Sequence, residues 1–495
     1  MFELRLDYLR DFDFSKPEGL AQLLADKALP AIITCRSVDE GGQQSVDHQI
    51  RLRLMVEGAR SLAEYCDVEA AYYERALKFK PDLNRLIVSY HNFTETPTDL
   101  TAIYERLCRL PAGVHKIVTQ ANSIRDTLPT FELLNRASAE NRKLIALGMG
   151  EPGLITRILG TSRGSYLTYG SLKPGAESAA GQPTCRELNE LYGLHRITRA
   201  TQIAGIIGLP VSHSASPAIH NSAFRALGLD WVYMPLEVDD VGRFFREFVR
   251  PLLSSSDGEP FGSGFDWPLR GLSVTIPHKR AVIPYLDDID ETARAVGAVN
   301  TIVIGEGRAR GYNTDVQGAM EPLAKARDLA SEHCAVIGAG GAARAVIYGL
   351  KQHGARVTVF ARDPSKLRDV GERFGVPILP LDALSSSDAG IIINTTPVGM
   401  RGHSEGRSPV DPSAFKDRRI AYDLVYNPTE TRFLKYARDA GCETISGIEM
   451  LIAQAAGQFS LWTGVQAPLD VMRKAAGVNH PSRLRYSENE TGSGS

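Results

Sequence analysis

Short apolar runs alternate with helix-period segments from the first residues of the chain onward. Between the runs, apolar residues recur every three or four positions, as at Leu52, Met55, Val56 and Ala59. Strands that alternate with helices predict parallel strands joined by right-handed crossovers. Seven runs in the first 170 residues are predicted strands: Glu3–Tyr8, Ala31–Arg36, Asp67–Ala71, Leu86–His91, Lys116–Gln120, Leu144–Gly148 and Tyr166–Gly170. Seven strands over this length favour a (β/α) barrel of the TIM type over an open sheet.

The alternation resumes after a Gly/Ala/Ser/Pro stretch at 171–184 and a short helical segment. The predicted strands of this second half are Ile203–Gly208, Gly271–Ile276, Ala298–Ile304, Cys334–Gly338, Arg356–Ala361, Gly390–Asn394 and Ile420–Leu424. A segment rich in Ser, Gly and acidic residues, Ser254–Pro268, is predicted to be a surface loop. The residues after Asn479 show no periodicity, so 479–495 is predicted to be a disordered tail.

Composition and charge exclude several classes of function. Lys and Arg number 56 against 58 Asp and Glu, a net charge of −2 that provides no basic surface for nucleic acid or an anionic membrane. No apolar run approaches the ~18 residues of a membrane helix, and the N-terminus lacks the pattern of a secretory signal. The six cysteines form no CxxC pair and the 11 histidines are dispersed, so we predict no disulfides and no metal site. We expect a soluble cytoplasmic protein that is large enough to hold pockets between domains.

A glycine-rich turn in the second half indicates a nucleotide site. The predicted strand Cys334–Gly338 runs directly into Gly-Ala-Gly-Gly-Ala and then a helix-period segment. Glycines at such a turn let backbone N–H groups approach a pyrophosphate at the helix N-terminus, although they could also serve only to pack helix on strand. At the end of the next strand, Arg362 and Lys366 are suited to a 2′-phosphate, whereas the acid that would bind the ribose of NAD is absent from the strand end. NADP is therefore the predicted cofactor, with Asp363 as an unfavourable neighbour.

Polar motifs around this turn predict a cleft for a polar small molecule. Ser214 and Ser216 follow a strand and precede a helix, where they could either cap the helix or bind an anionic ligand. Lys279 follows another strand and Asp315 comes later in the chain. They are either solvated loop residues or, brought together, a pair that moves a proton at a carbonyl oxygen.

The motifs SHSASP, SVTIPHK, GAVNT, GYNTD, GAGGAAR, NTTPVGM, YDLVY and GIEMLIAQA occur in this order between Gln202 and Val478. Through them this half resembles the shikimate dehydrogenases, which reduce 3-dehydroshikimate with NADPH. The resemblance implies that Lys279 and Asp315 are the catalytic pair. It implies substrate contacts from Ser214, Ser216, Thr275, Asn300, Tyr426 and Gln454, and cofactor contacts from Gly338, Ala339, Gly340, Gly341, Ala342, Arg362, Lys366, Asn394 and Gly447. The family often has Asn-Arg-Thr where this chain has Ala361-Arg362-Asp363.

In the first half, the strand Glu3-Leu4-Arg5-Leu6-Asp7 alternates charged and apolar residues. Its charged face would be solvated on an edge strand, but in a barrel it points into the interior, near the catalytic mouth. Lys116 lies within an otherwise apolar predicted strand. It is either a strand-end lysine that reaches solvent or a buried amine, the form that attacks a ketone.

The motifs ELRLD, CRSVDEGGQ, SYHNF, HKIV, GLITR and SAAGQ lie in this order within residues 2–182. Through them this half resembles the type I 3-dehydroquinate dehydratases. The resemblance implies a Schiff base between Lys116 and the substrate ketone, with His91 as general acid–base and Glu40 positioning it. It also implies that Arg157 binds the carboxylate of the substrate. The hydroxyls of the substrate would be held by Glu3, Arg5, Arg36, Ser178 and Gln182.

The family normally has a strand and a helix before the ELRLD motif, whereas here Met1 almost adjoins it. The predicted fold is thus α/β: a TIM-type barrel with its first strand missing, and so with two unpaired edges, followed by a two-domain dehydrogenase. The predicted domains are a barrel at 1–198, a substrate-binding domain at 202–316 completed by helices at 449–478, and a Rossmann domain at 317–448.

Because one half makes the substrate of the other, the leading hypothesis is a bifunctional shikimate-pathway enzyme. The alternatives are a quinate/shikimate dehydrogenase with an impaired dehydratase half, and a metabolite-sensing regulator built from these domains.

Overall fold

The computed structural model describes residues 1–254, 267–402 and 404–477. The chain divides into two compact units, Met1–Ala200 and a second that begins at Thr201. The predicted tail at 479–495 and most of the predicted loop Ser254–Pro268 lie outside the described residues. Among the described residues, no helix is both long and apolar enough to cross a membrane.

The N-terminal unit contains a sheet of six parallel strands in the order β1 to β6, which we call the wall. The strands are β1 (Phe2–Arg5), β2 (Ala31–Thr34), β3 (Tyr65–Glu69), β4 (Leu86–Asn92), β5 (Val114–Gln120) and β6 (Leu144–Met149). Its helices are α1 (Pro17–Leu24), α2 (His48–Ser61), α3 (Tyr73–Leu77), α4 (Leu100–Cys108), α5 (Leu128–Ala139) and α6 (Leu154–Leu159). Sequential parallel pairing with intervening helices is the pattern of a (β/α) barrel.

One predicted strand of this unit is wrong. Tyr166–Gly170 is irregular, and only single bridges flank it, Leu144 with Ser165 and Ser171 with Thr184. Within the described residues, β1 therefore pairs with β2 alone, and the wall has two edges. The apolar residues of this segment instead pack as a cover against Ile32, Ile87 and Val118.

The second unit contains two sheets. The first is mixed, in the order β10-β12-β11-β9-β7-β8, and consists of β7 (Gln202–Gly208), β8 (Trp231–Glu237), β9 (Leu269–Val274), β10 (Asp288–Ile289), β11 (Thr301–Gly305) and β12 (Arg308–Tyr312). Its helices are α7 (Ser216–Ala226), α8 (Val241–Phe244), α9 (Arg250–Ser254), α10 (His278–Ala281) and α11 (Glu291–Val296). Among these strands, β8, β10 and β12 were absent from the sequence prediction.

The second sheet is fully parallel, in the order β15-β14-β13-β16-β17-β18. Its strands are β13 (His333–Ile337), β14 (Arg356–Ala361), β15 (Ile378–Pro380), β16 (Ile391–Asn394), β17 (Ile420–Asp423) and β18 (Glu443–Ser446). The remaining helices are α12 (Asp315–Ala326), α13 (Gly341–Gln352), α14 (Arg368–Phe374), α15 (Arg432–Asp439), α16 (Gly447–Thr463) and α17 (Leu469–Ala476). The strand order reverses between β13 and β16, which is the doubly wound arrangement that binds a dinucleotide at the reversal.

Two candidate active sites

The lysine of the barrel half is buried in a cluster of opposite charges. Lys116 lies on β5 and is 5% exposed. Its Nζ donates to Oδ2 of Asp67 at 2.9 Å and lies 4.0 Å from Oε1 of Glu3. The strand register places Ser89 of β4 opposite Lys116. The side chains of these two residues therefore lie on the same face of the sheet. The amine predicted to attack a ketone is thus enclosed and held by a carboxylate.

Asp67 connects Lys116 to an arginine. Arg36 Nη2 lies 2.9 Å from Asp67 Oδ2, and Ser89 Oγ donates to Asp67 Oδ1 at 2.6 Å. Burial of Asp67 opposes its ionisation, but the charges of Arg36 and Lys116 outweigh burial and hold the pKa of Asp67 well below its usual range. Asp67 therefore stays an anion between two cations. It was not among the predicted site residues, although its position inside a predicted strand was a usable signal.

His91 and Glu40 form the second polar pair of this half. His91 Nδ1 lies 2.8 Å from Glu40 Oε2. Burial and the charges of Arg36 and Lys116 hold the pKa of His91 well below its usual value, so its imidazole is neutral. Burial raises the pKa of Glu40 to about 8, against the opposing charge of Arg36. When Glu40 is ionised, it accepts a hydrogen bond from Nδ1–H of His91. Nε2 of His91 is then unprotonated and free to accept a proton.

Arg157 is buried without an anionic partner in the described structure. It follows β6 on α6, is 2% exposed, and its Nη1 donates to the backbone oxygen of Tyr169 at 3.2 Å. Its Nε has no hydrogen-bond partner among the described residues. Burial alone lowers the pKa of Arg157 to about 10. An unpaired buried guanidinium suits a ligand carboxylate, as the sequence analysis predicted.

The other predicted residues of this half have three kinds of surroundings. Glu3 and Arg36 lie in the Lys116 cluster, and Glu3 accepts from Thr34 Oγ1 at 2.6 Å. Arg5 donates to both carboxylate oxygens of Asp7, at 2.9 and 2.7 Å. Ser178 and Gln182 are joined to each other, because Ser178 N and Oγ donate to Gln182 Oε1 at 2.8 and 3.1 Å. Among the described contacts, none joins Ser178 or Gln182 to Lys116.

The second unit brings its predicted catalytic pair into direct contact. Lys279 Nζ on α10 donates to Asp315 Oδ2 at 2.6 Å, at the start of α12. Asn300 Nδ2 donates to the other oxygen, Asp315 Oδ1, at 2.8 Å. The side chains of Lys279 and Asp315 are 17% and 5% exposed, so solvent screens the pair weakly. A lysine and a carboxylate in hydrogen-bond contact can pass a proton to or from a substrate oxygen.

Asn300 is itself fixed from two sides. Its Oδ1 accepts from Thr314 N at 2.8 Å, and its backbone oxygen accepts from Gln458 Nε2 at 3.2 Å. Gln458 lies on α16 and its Oε1 accepts from Ser273 Oγ at 2.8 Å, so α16 is tied to β9 and to the segment that holds Asn300. Gln458 was not predicted as a site residue, because a buried glutamine on an apolar helix gives no motif.

The predicted substrate residues of this unit lie on the segments around that cleft. Ser214 Oγ accepts from N of Ser216, the first residue of α7, at 3.2 Å. Burial raises the pKa of Tyr426, so it remains a hydrogen-bond donor. Thr275 follows β9, and its N–H donates to Ile207 O at 3.0 Å. Gln454 Nε2 donates to Leu451 O at 2.8 Å.

The glycine turn after β13 leaves room for a phosphate. Gly338 has φ of +104°, a conformation that favours glycine, and a Cβ at Gly340 would meet nothing within 4 Å. A Cβ at Gly341 would lie 3.1 Å from Cδ of Lys279, so the lysine stem runs beside the N-terminus of α13. These features fit a bound pyrophosphate next to the catalytic lysine.

The remaining predicted cofactor residues have different surroundings. Arg362 and Lys366 are exposed, and Lys366 Nζ lies 3.1 Å from Asp363 Oδ2. Asn394 is fully buried, and its Nδ2 donates to Asp423 Oδ1 at 2.9 Å, so its side chain is engaged within the protein. A Cβ at Gly447 would lie 2.4 Å from Leu424 O. Ala339 and Ala342 flank the glycines and are half-buried.

Comparison with known proteins assigns both units. Residues 1–199 match the model of type I 3-dehydroquinase, residues 206–302 that of the shikimate dehydrogenase substrate-binding domain, and residues 447–476 that of the shikimate 5′-dehydrogenase C-terminal domain. A bifunctional 3-dehydroquinate dehydratase/shikimate dehydrogenase of Arabidopsis thaliana is 36% identical over 95% of this chain and 79% of its own length. The chain belongs to this bifunctional family. The predicted family, fold class, pair of activities and enzyme classes are thereby confirmed.

Several proteins similar to the second unit are NADP-dependent by name. The shikimate dehydrogenase (NADP+) of Methanothermobacter thermautotrophicus is 39% identical over 56% of this chain and 97% of its own length. A shikimate dehydrogenase solved in complex with NADP+ is 35% identical, with a TM-score of 0.51, over 57% of this chain and 96% of that chain. The Aquifex aeolicus shikimate dehydrogenase is 32% identical with a TM-score of 0.50, over 57% and 100% respectively. The predicted cofactor, NADP, is confirmed for the family.

Proposed function

We propose that this chain dehydrates 3-dehydroquinate in its N-terminal unit and reduces the resulting 3-dehydroshikimate to shikimate with NADPH in its second unit, as a cytoplasmic enzyme. The observation that carries the proposal is that each unit joins the groups its reaction needs. Lys116 is buried beside a carboxylate with a neutral histidine in the same unit, and Lys279 contacts Asp315 beside the nucleotide turn. The proposed domains are 1–198, 202–316 with 449–478, and 317–448.

The dehydration begins at Lys116. The ammonium of Lys116 first loses a proton to solvent. Its amine then adds to the C3 ketone, and loss of water gives an iminium, which acidifies the protons on C2. Nε2 of His91 removes one C2 proton and returns it to the C1 hydroxyl, which leaves as water and creates the enone. A second water then hydrolyses the iminium and restores the amine, so one molecule of water is lost overall. Arg157 holds the substrate carboxylate during these steps, with a guanidinium that has no other anion to bind in the described structure.

The reduction takes place at the Lys279–Asp315 pair. NADPH supplies a hydride to the ketone carbon when it is bound. Lys279 holds the ketone oxygen and donates the proton that it needs, while Asp315, fixed by Asn300, orients the lysine, which then regains a proton from solvent. Ser214, Ser216, Thr275, Tyr426 and Gln454 are proposed to hold the substrate's carboxylate and hydroxyls.

The cofactor contacts follow the glycine turn. Gly338 to Ala342 would face the pyrophosphate, and the exposed Arg362 and Lys366 would face the 2′-phosphate of the adenosine ribose. Asn394 and Gly447 would shape the neighbouring loops, because their side-chain positions are filled by protein contacts.

Two single substitutions test the assignment within one chain. We expect Lys116→Met to reduce dehydratase kcat by on the order of 10²–10⁴-fold while shikimate oxidation stays within about twofold. Lys279→Met should reduce the rate of shikimate oxidation by a similar factor while the dehydratase kcat stays within about twofold. Lys173→Met, an exposed lysine of the first unit, is the matched control and should leave both rates unchanged. Full dehydratase activity in Lys116→Met would refute the Schiff base, and unchanged reduction in Lys279→Met would refute the proton transfer.

A further inference from the structure

Tyr169 lies between the two groups that the proposed dehydratase site uses for opposite ends of its substrate. The ammonium of Lys116 lies 4.6 Å from the centre of the Tyr169 ring, a cation–π distance. The backbone oxygen of the same residue accepts the hydrogen bond from Arg157 Nη1 at 3.2 Å. Tyr169 belongs to the irregular segment after α6 that covers the wall of strands.

The hydroxyl of Tyr169 is buried and has no hydrogen-bond partner among the described residues. Buried polar groups in proteins are nearly always hydrogen-bonded, and an unsatisfied one destabilises the fold. The charged residues around it already have partners: Asp67 accepts from Lys116 and Ser89, and Glu3 accepts from Thr34. A donor is therefore left over inside the cluster that surrounds Lys116.

That donor keeps its proton. Burial raises the pKa of Tyr169 well above its usual value, and the negative charges of Glu3 and Asp67 act in the same direction. Because the ring lies over the Lys116 nitrogen and the charges of Glu3 and Asp67 act on the phenol, the hydroxyl belongs to the charged cluster around that nitrogen. The oxygens of a polyhydroxylated keto acid bound there are the acceptors that the phenol lacks.

We propose that Tyr169 is a further substrate-binding residue of the dehydratase site, whose O–H donates to a ring oxygen of the bound hydroxy-keto acid while its ring shields the Lys116 nitrogen. The inference rests on the proposed dehydratase function. It accounts for a buried hydroxyl that has no partner among the described residues. A merely structural tyrosine would instead have a protein partner, as Tyr166 does, whose hydroxyl lies 2.7 Å from that of Tyr65.

Tyr169→Phe removes only the hydroxyl and is the test. We expect kcat/KM for 3-dehydroquinate to fall about 3- to 10-fold through KM, the equivalent of one hydrogen bond of about 0.5–1.5 kcal/mol. The melting temperature should stay the same or rise, because no protein hydrogen bond is lost. Tyr166→Phe is the matched control: it removes a bonded hydroxyl, so it should lower the melting temperature and leave KM unchanged.

Two results would overturn the inference. One is a Tyr169→Phe chain whose KM and kcat both stay within twofold of the unsubstituted chain. The other is a loss of activity that tracks a lower melting temperature, which would make the hydroxyl structural. Shikimate oxidation by the same samples reports whether the second unit is intact. Borohydride treatment with 3-dehydroquinate separates this inference from its foundation: if the unsubstituted chain is not inactivated, the Schiff-base function fails, whereas inactivation with an unchanged Tyr169→Phe refutes only the role of Tyr169.

Discussion

Replacing Arg157 by methionine should make the first unit more stable and its dehydratase site unable to bind substrate well. Burial lowers the pKa of this guanidinium from its usual value to about 10, and a lowering of that size corresponds to about 3 kcal/mol. Since the folded pKa lies below the unfolded one, this penalty is fully present at neutral pH and is relieved only as the pH rises through about 10 and above. The site therefore holds an unpaired charge at the expense of stability.

Methionine has a similar length and no charge, so Arg157→Met removes the penalty and the one hydrogen bond to Tyr169 O. The net gain should be about 1–3 kcal/mol, seen as a rise of roughly 2–4 °C per kcal/mol in the melting temperature of a unit of this size. KM for 3-dehydroquinate should rise by about 30-fold or more, because a buried charge pair with the substrate carboxylate is lost.

The assay is thermal unfolding together with dehydratase kinetics on the same samples. Arg142→Met, which removes an exposed arginine paired with Glu140 at 3.0 Å, is the control and should change the stability by no more than about 0.5 kcal/mol. A lower melting temperature combined with an unchanged KM in Arg157→Met would refute the reasoning, since it would show that the guanidinium has a structural partner and no ligand.

Three further predictions concern the carboxylates of Glu40, Asp423 and Asp363. Because burial raises the pKa of Glu40 to about 8 and its carboxylate frees Nε2 of His91, dehydratase kcat/KM should rise with pH through about 8, and Glu40→Gln should abolish this ionisation in the pH–rate profile. Burial raises the pKa of Asp423 to about 6, so the free energy of unfolding should fall by up to about 3 kcal/mol between pH 4 and 6; Asp423→Asn should remove that dependence in melts across this range, and an unchanged slope would contradict it. Asp363→Ser should release Lys366 and lower KM for NADPH by about two- to fivefold with little effect on NADH, as measured by initial rates.

Sequence pattern predicted the site best where the reacting groups lie in strands or short motifs. The pattern left open whether Lys116 reaches solvent, and the family resemblance joined it with Glu3 and Arg36 in one site; the structure brings these three together. Asp67 has the same kind of position, on β3 beside Val68, and the pattern alone could have identified it. The pattern does not show which group Asp67 pairs with; its contact with Lys116 is seen only in the structure.

The errors have physical causes. Tyr166–Gly170 has the composition of a strand, yet strand formation needs a neighbour to hydrogen-bond, and this segment has only isolated bridges beside it. The short strands β10 and β15 lie at sheet edges with exposed residues, so they show little alternation. Tyr169 and Gln458 stand in apolar segments without a motif, and their roles depend on tertiary contacts from distant parts of the chain.

The central claim is that one chain performs both consecutive reactions. The most direct measurement supplies the purified chain with 3-dehydroquinate and NADPH and follows enone absorbance and NADPH consumption together. The account predicts that enone appears first and that NADPH is then consumed in proportion to the dehydroquinate supplied. Consumption of NADPH only when 3-dehydroshikimate is added would contradict it, because the barrel unit would then hold Lys116 and its partners without dehydrating the substrate.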